Sequence, residues 1–214
     1  MKKIVAFIVI AAFCIAPALK AEEMETLFGG SGKFTSSLYG AVDVRGTTIN
    51  SNSALAVGGR GVWVINNTFG IGIQGFGITS NHNVPGYRTT FDSSQAYLRT
   101  GYGGLFLEYI NNSNSLVHFN IHALIGGGGA VYTNSRFDNH DRYYDGDRWH
   151  YESSAYFVFE PGAGVEFNIT TFFKLGVNGG YRIVSGLDLP NTSNKDLSGA
   201  FGGLTFKFGN FKNN

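Results

Sequence analysis

About eight segments that alternate in polarity with period two, connectors that are by turns short and long, and an N-terminal export signal together predict an all-β chain. The expected architecture is an eight-stranded antiparallel up-and-down transmembrane β-barrel preceded by a cleavable signal peptide.

Lys2 and Lys3 precede an apolar run from Ile4 to Ile15, and Ala16-Pro17-Ala18 and Leu19-Lys20-Ala21 supply the small residues of a cleavage site. Cleavage after Ala21 or Ala18 makes residues 1–21 the signal and leaves residues 22–214 as one barrel domain. The competing reading, a short membrane anchor, is disfavoured because the run is too short to span and no stop-transfer charges follow it. Cys14 is the sole cysteine and lies inside the run, with Phe13 where a lipidated signal needs a small residue. The mature chain is therefore expected to use neither disulfides nor thiolate metal sites.

Composition narrows the class. Glycine supplies 31 of 214 residues, roughly twice ordinary usage, while charged residues make up only 14%. This excludes a disordered tail or a coiled coil, and beyond the N-terminus no apolar stretch approaches the length of a spanning helix. A formal charge of +1 argues against nucleic acid as a partner. Loss of Lys2, Lys3 and Lys20 with the signal leaves 13 bases against 15 acids.

The first strand sets Leu38, Gly40, Val42 and Val44 against Tyr39, Ala41, Asp43 and Arg45. In the second, Leu55, Val57, Trp63 and Ile65 oppose Arg60, and in the third Phe69, Ile71 and Ile73 oppose Gln74. A fourth, about 94–109, alternates Gln95, Tyr97 and Arg99 with Ala96 and Leu98, but Gly103-Gly104 blurs its parity, as a bulge would, and leaves Glu108 on neither face. The fifth sets Val117, Phe119, Ile121, Ala123 and Ile125 against His118, Asn120, His122 and Leu124. In the sixth, Phe157, Phe159, Ala163, Val165 and Phe167 oppose Tyr156, Val158, Glu160 and Glu166. The seventh opposes Phe173, Leu175, Val177, Tyr181 and Ile183 to Lys174, Asn178 and Arg182, and the eighth opposes Leu204, Phe206 and Phe208 to Thr205 and Lys207.

Connectors distinguish a membrane barrel from a soluble sandwich. Those at 66–68, 111–115 and 168–171 are tight and polar, those at 79–92, 133–152 and 186–196 are long, and one of medium length falls near 47–53. Short turns at one end and long loops at the other fit a barrel with apolar residues outward and polar residues inward. Phe34, Trp63, Phe69, Tyr109, Phe167, Phe173 and Phe208 near strand ends would form an interfacial girdle. A β-sandwich that buries the apolar face is the alternative.

The stretch from Glu160-Pro161-Gly162-Ala163-Gly164 through Phe172-Phe173-Lys174-Leu175-Gly176, continuing to Tyr181-Arg182-Ile183-Val184-Ser185-Gly186, resembles a hairpin of small outer-membrane β-barrel proteins. Tyr102-Gly103-Gly104-Leu105-Phe106-Leu107-Glu108-Tyr109, with Val117-His118 and Leu124-Ile125-Gly126, looks like another piece of the same pattern. The overall plan is similar to the transmembrane domain of outer membrane protein A and to outer membrane protein X. The resemblance implies residence in the bacterial outer membrane with a periplasmic N-terminus, contact with its lipid, assembly by the outer-membrane insertion machinery, and no defined catalytic residues. Such chains commonly finish on an aromatic residue, whereas here Phe211 is followed by Lys212-Asn213-Asn214.

Eight strands enclose a space that side chains can fill. Asp43, Arg45, Arg60, Gln74, Arg99, His118, His122, Glu160, Glu166, Lys174, Asn178, Arg182 and Lys207 are expected to face it. Charges so confined are costly unless paired, so an ion-pair network of Asp43, Arg45, Arg60, Arg99, Glu160, Glu166, Lys174, Arg182 and Lys207 is expected to plug the lumen. A hairpin turning at 168–171 puts Glu166 directly opposite Lys174 and Glu160 diagonal to Arg182. A proton-transfer or substrate site is the less favoured reading of these groups. His118 and His122 are about 13 Å apart along a strand at about 3.3 Å per residue, too far to share a metal ion.

The longest loop carries Phe137, Tyr143, Tyr144, Arg148, Trp149 and Tyr151, residue types common in binding surfaces. Asp138, Asp141, Asp145 and Asp147 match no twelve-residue calcium loop. No Ser with His and acid partners stands at recognisable spacing, and the glycine run 126–129 ends a strand rather than preceding a phosphate-binding helix. The expected function is a non-enzymatic integral barrel with a structural or surface-interaction role through its outer loops, without metal or cofactor and with an unidentified surface ligand. A barrel enzyme acting on lipid or peptide and a narrow pore or small-ligand carrier are the alternatives.

Overall fold

A computed structural model describes residues 35–78, 82–88, 95–133 and 152–211 of the chain. The expected signal peptide 1–21, Phe34 of the girdle and the loop residues Phe137, Tyr143, Tyr144, Arg148, Trp149 and Tyr151 lie outside the described residues.

The elements are β1 (Ser36–Ile49), β2 (Asn52–Ile65), β3 (Phe69–Ile78), β4 (His82–Arg88), β5 (Gln95–Asn111), β6 (Val117–Thr133), β7 (Ser153–Asn168), β8 (Phe173–Ser185), α1 (Asn194–Leu197) and β9 (Gly199–Gly209). Apart from β3 and β4, which do not pair with each other, each strand pairs antiparallel with its sequence neighbours; β3 pairs with β5, and β1 pairs with β9 along Tyr39↔Gly209 to Thr47↔Phe201, so the sheet closes on itself. β3 and β4 both run along β5, at Gly77↔Gly101 and then His82↔Leu98, a slip of two residues between them. They form one interrupted stave, and the barrel has eight.

Turn chemistry sets the register. Asn50 and Ser51 both adopt left-handed φ, 48° and 61°, and close β1 onto β2 in a two-residue hairpin. The medium connector expected at 47–53 is accordingly absent: Thr47↔Ala54, Thr48↔Ser53 and Ile49↔Asn52 are ladder pairs. At the opposite end Asn66 and Asn67, with φ of 51° and 53°, turn β2 into β3. The β7–β8 turn occupies Ile169 to Phe172, one residue later than expected, and both Ile169 and Thr170 donate their amides to the Phe173 carbonyl. The expected pairing therefore needs correction: Asn168 lies opposite Lys174, Glu166 lies opposite Gly176, and the register from Phe159↔Ile183 brings Glu160 level with Arg182.

No bulge interrupts β5. Its pairing with β6 runs unbroken from Tyr97↔Thr133 to Asn111↔Phe119 and carries Gly103↔Gly127 and Gly104↔Gly126. Strand parity thus holds throughout: Leu98, Tyr102, Phe106 and Glu108 are buried, and Leu105, Leu107 and Tyr109 are exposed. Other strands keep the alternation read from sequence, with Asp43, Arg45, Arg60, Gln74, Glu160, Glu166, Lys174, Arg182 and Lys207 buried. Val42 is 47% exposed and Val177 50%, on the face opposite the charges. Phe69 and Tyr109, 5.4 Å between ring centroids, and Phe173 and Phe208, 5.1 Å, pair on the outer wall near the short turns.

The interior also holds two apolar clusters. Near the long-loop end Ile49, Ala54, Ala56, Phe76, Leu98 and Leu124 pack with Leu189 and Leu197 of the β8–β9 segment. Near the short turns Tyr39, Val62, Val64, Phe106 and Ile110 pack with Phe211, which has turned inward after β9. Charged side chains are interleaved with the second cluster, as with Glu108 between Phe106 and Ile110 on β5.

Strand contact at Gly104 and Gly126 is too close for side chains. A Cβ on Gly104 would stand 2.3 Å from the Ile125 carbonyl oxygen, whereas one on Gly129 meets nothing within 4 Å. Gly104→Val is expected to cost about 1–3 kcal/mol through overpacking, and Gly129→Ala to be close to neutral. Urea midpoints of the refolded barrel check both.

Candidate functional site

The barrel interior gathers the chemistry-bearing side chains into three connected groups. Inward positions on β1, β5, β7 and β8 build the one nearest the long-loop end. Arg45 Nη2 lies 2.7 Å and 3.0 Å from the two Glu160 carboxylate oxygens and donates to the Tyr102 hydroxyl at 2.5 Å. Its guanidinium is sandwiched between Phe76 at 3.4 Å and Phe201 at 4.1 Å from the ring centroids. Planarity suits a guanidinium to this role as no ammonium would be suited. Arg182, 1% exposed, has no carboxylate within salt-bridge reach among the described residues. It donates from Nε to the Leu197 carbonyl at 2.6 Å, from Nη2 to the Thr48 carbonyl at 3.1 Å and from Nη1 to Tyr102 at 3.4 Å.

Asp43 centres the middle group. Its Oδ1 accepts from the Thr205 hydroxyl at 2.5 Å, its Oδ2 accepts from Gln74 at 3.2 Å, and Arg60 Nη2 stands 3.8 Å away. Asn178 donates to Thr205 at 2.7 Å.

Lys207 centres the third group, near the short turns. Its ammonium binds both Glu108 Oε1, at 2.7 Å, and Glu166 Oε1. Tyr39 donates to the other Glu108 oxygen at 2.7 Å, Asn120 donates to Glu166 at 2.5 Å, and His118 Nε2 lies 3.2 Å from Glu166. Lys174 reaches the Ser113 carbonyl at 3.3 Å and lies 4.5 Å above the Phe211 ring. A cavity of about 20 Å3 at this mouth is bounded by Tyr39, Glu166, Lys174, Lys207 and Phe211. That is room for about one water molecule.

The expected network is thus assembled with different partners. Glu166 pairs with Lys207 and not Lys174, because the shifted turn sends Lys174 one register step towards the mouth. Glu160 pairs with Arg45 across the barrel and not with Arg182, whose donors go to two carbonyls and a phenol. Arg99 is corrected: it is exposed, on the outward parity of β5 with Leu105 and Leu107. His118 and His122 face different partners, Glu166 and Asn120.

Sequence reading missed Glu108, the second carboxylate of Lys207, and the inward aromatics. Among the described residues all five buried cations lie near an aromatic ring: Arg45 near Phe76, Arg60 near Phe106, Arg182 near Tyr102, Lys174 near Phe211 and Lys207 near Tyr39. Such contacts favour a cation most where water is excluded. The available signal was the unbroken parity of β5 from Leu98 to Ile110, hidden by its glycines.

The fold and its interior define a class: closed eight-stranded antiparallel barrels with buried charged side chains and an apolar exterior. The chain is similar to the crystal structure of Neisserial surface protein A, with a TM-score of 0.48 and 11% identity over 85% of this chain and 100% of that one. It is also similar to Ail, the attachment invasion locus protein of Yersinia pestis, in complex with the heparin analogue sucrose octasulfate, with a TM-score of 0.45 and 16% identity over 81% of this chain and 97% of that one. No family model and no curated protein matches the chain.

Replacing Lys207 by Met leaves Glu108 and Glu166 buried without their shared cation, and the expected loss is about 3–5 kcal/mol. Adding Glu108→Gln and Glu166→Gln to Lys207→Met is expected to recover much of it. Equilibrium unfolding of the single and triple variants measures the difference.

Proposed function

We propose that the chain is an integral outer-membrane β-barrel whose apolar outer wall faces lipid and whose interior is a closed, salt-bridged plug. Its role is structural or one of surface contact through the long-loop end. The observation that carries this reading is inverted polarity. Ile73 is 73% exposed and Leu38 70%, whereas Arg182 and Lys207 are 1% exposed. In water that arrangement would forfeit the hydrophobic driving force, whereas in a bilayer it places apolar groups in hydrocarbon and satisfies backbone groups within a closed ladder. The export signal read from residues 1–21 supports delivery to the envelope, and the tight turns and N-terminus then belong on the periplasmic side.

Packing supports closure rather than conduction. The Arg45, Asp43 and Lys207 groups and the two apolar clusters share the lumen along its length. Surface contact would fall to loop 134–151, whose Phe137, Tyr143, Tyr144, Arg148, Trp149 and Tyr151 combine aromatic area with arginine.

Three measurements test the reading. The full chain expressed in a Gram-negative host is expected in the outer-membrane fraction, and recovery in the soluble periplasm would contradict it. Trypsin added to intact cells is expected to cut at Arg142 or Arg148 while sparing the strands. Val177→Arg is expected to destabilise the lipid-embedded barrel by about 2–4 kcal/mol if the site lies near the bilayer midplane.

A further inference from the structure

The segment between β8 and β9 crosses the long-loop mouth and holds its own shape. Thr192 donates its amide to the Leu189 carbonyl, Leu187 donates to the Asn194 side chain, and Ser193 and Asp196 form a capping box at the start of α1. It is also bonded to the wall: Asn50 to the Asp196 carbonyl, Arg182 to the Leu197 carbonyl, Tyr132 to Pro190 and Thr192, Asp188 to Ser154, and Val184 to the Ser198 hydroxyl. At one root stands Gly186, in a left-handed conformation with φ +84° and with open space around it. From the strap, Leu189 and Leu197 point into the barrel and are 8% and 1% exposed.

Beneath those leucines the wall is mainly apolar: Ala54, Ala56, Leu98, Leu124 and Ala130, with the rings of Phe76, Tyr102, Tyr132 and Tyr156 in the same cluster. The floor is cationic, two guanidiniums, Arg45 and Arg182, against one carboxylate, Glu160. Arg45 Nε is buried with no hydrogen-bond partner among the described residues. Lifting the strap would also free Arg182 Nε from the Leu197 carbonyl. An unpaired N–H at the bottom of an apolar bowl calls for an acceptor, and a charged acceptor binds it best.

We propose that the β8–β9 strap is a displaceable cap, and that the bowl beneath it binds a small single-chain amphiphile with an anionic head. The acyl end takes the places of Leu189 and Leu197, and the head meets Arg45 and Arg182. The strap swings as a unit about Gly186, since its internal bonds do not depend on the wall. This inference needs the closed barrel but not its membrane address, so it can fail while that reading stands.

The test uses the refolded barrel in nanodiscs of zwitterionic phospholipid, with decanoate as probe and decanol as its uncharged match. Saturable decanoate-induced changes in the amide signals of Ala54, Arg182 and Leu197 are expected, with decanol weaker by about tenfold or more, as loss of a charge-assisted hydrogen bond implies. Leu197→Ala, which empties part of the bowl, is expected to tighten decanoate binding several-fold. A Ser154→Cys/Asp188→Cys pair in a Cys14→Ser background ties the strap down. Oxidised, it is expected to abolish saturable binding, and reduction is expected to restore it. No saturable response in both the native chain and Leu197→Ala, equal binding of decanol, or undiminished binding to the tied form would each overturn the proposal.

Discussion

Closure of the sheet is the constraint from which the other features follow. β1 and β9, at opposite ends of the described strands, pair over nine residues, and with the β3–β5 pairing this closes the sheet. A closed ladder satisfies backbone donors and acceptors within the wall, so the outer side chains need supply no polarity and can be apolar throughout. The same closure shuts every inward side chain into a space about one side chain deep from each wall. Ionic groups there must find partners among themselves.

How they do so explains the choice of residues. Buried ion pairs rarely add stability over an apolar core, but leaving one member alone is costly. Each cation is accordingly given more than a carboxylate. Arg45 lies between two aromatic rings, Lys207 is shared by two carboxylates, and Arg182 donates to carbonyls at the ends of β1 and α1 and to the Tyr102 hydroxyl. The apolar clusters packed among them exclude water and strengthen these contacts. Interior ion pairs and wall are thereby coupled, because the groups that pair come from strands that meet only when the barrel is closed.

Much of the wall was legible along the chain because strand parity is local. Val42 against Asp43, Ile121 against Asn120 and Leu204 against Thr205 declare their faces within two residues. Legibility failed where side chains vanish: Gly101, Gly103 and Gly104 carry no polarity, so Arg99 was assigned inward and Glu108 to neither face. Apolar residues that face the lumen, such as Leu98, Phe106 and Ile110, deepened the ambiguity. Partners were less legible than faces. Arg45 and Glu160 are 115 residues apart and meet through closure rather than through a hairpin, and a one-residue displacement of the turn after Asn168 changed which residue stood opposite Glu166. The inward turn of Phe211 and the strap over the long-loop mouth depend on tertiary contacts that no periodicity announces.

Contact between the outer wall and lipid is what the inverted polarity requires. Nuclear Overhauser contacts in nanodiscs, between the methyl groups of Val42, Ile121 and Val177 and either acyl-chain methylenes or water, test it most directly. The account predicts strong contacts to methylenes at all three positions and none to water. Water contacts at these methyls, or a folded monomer that stays in aqueous solution without lipid or detergent, would contradict it.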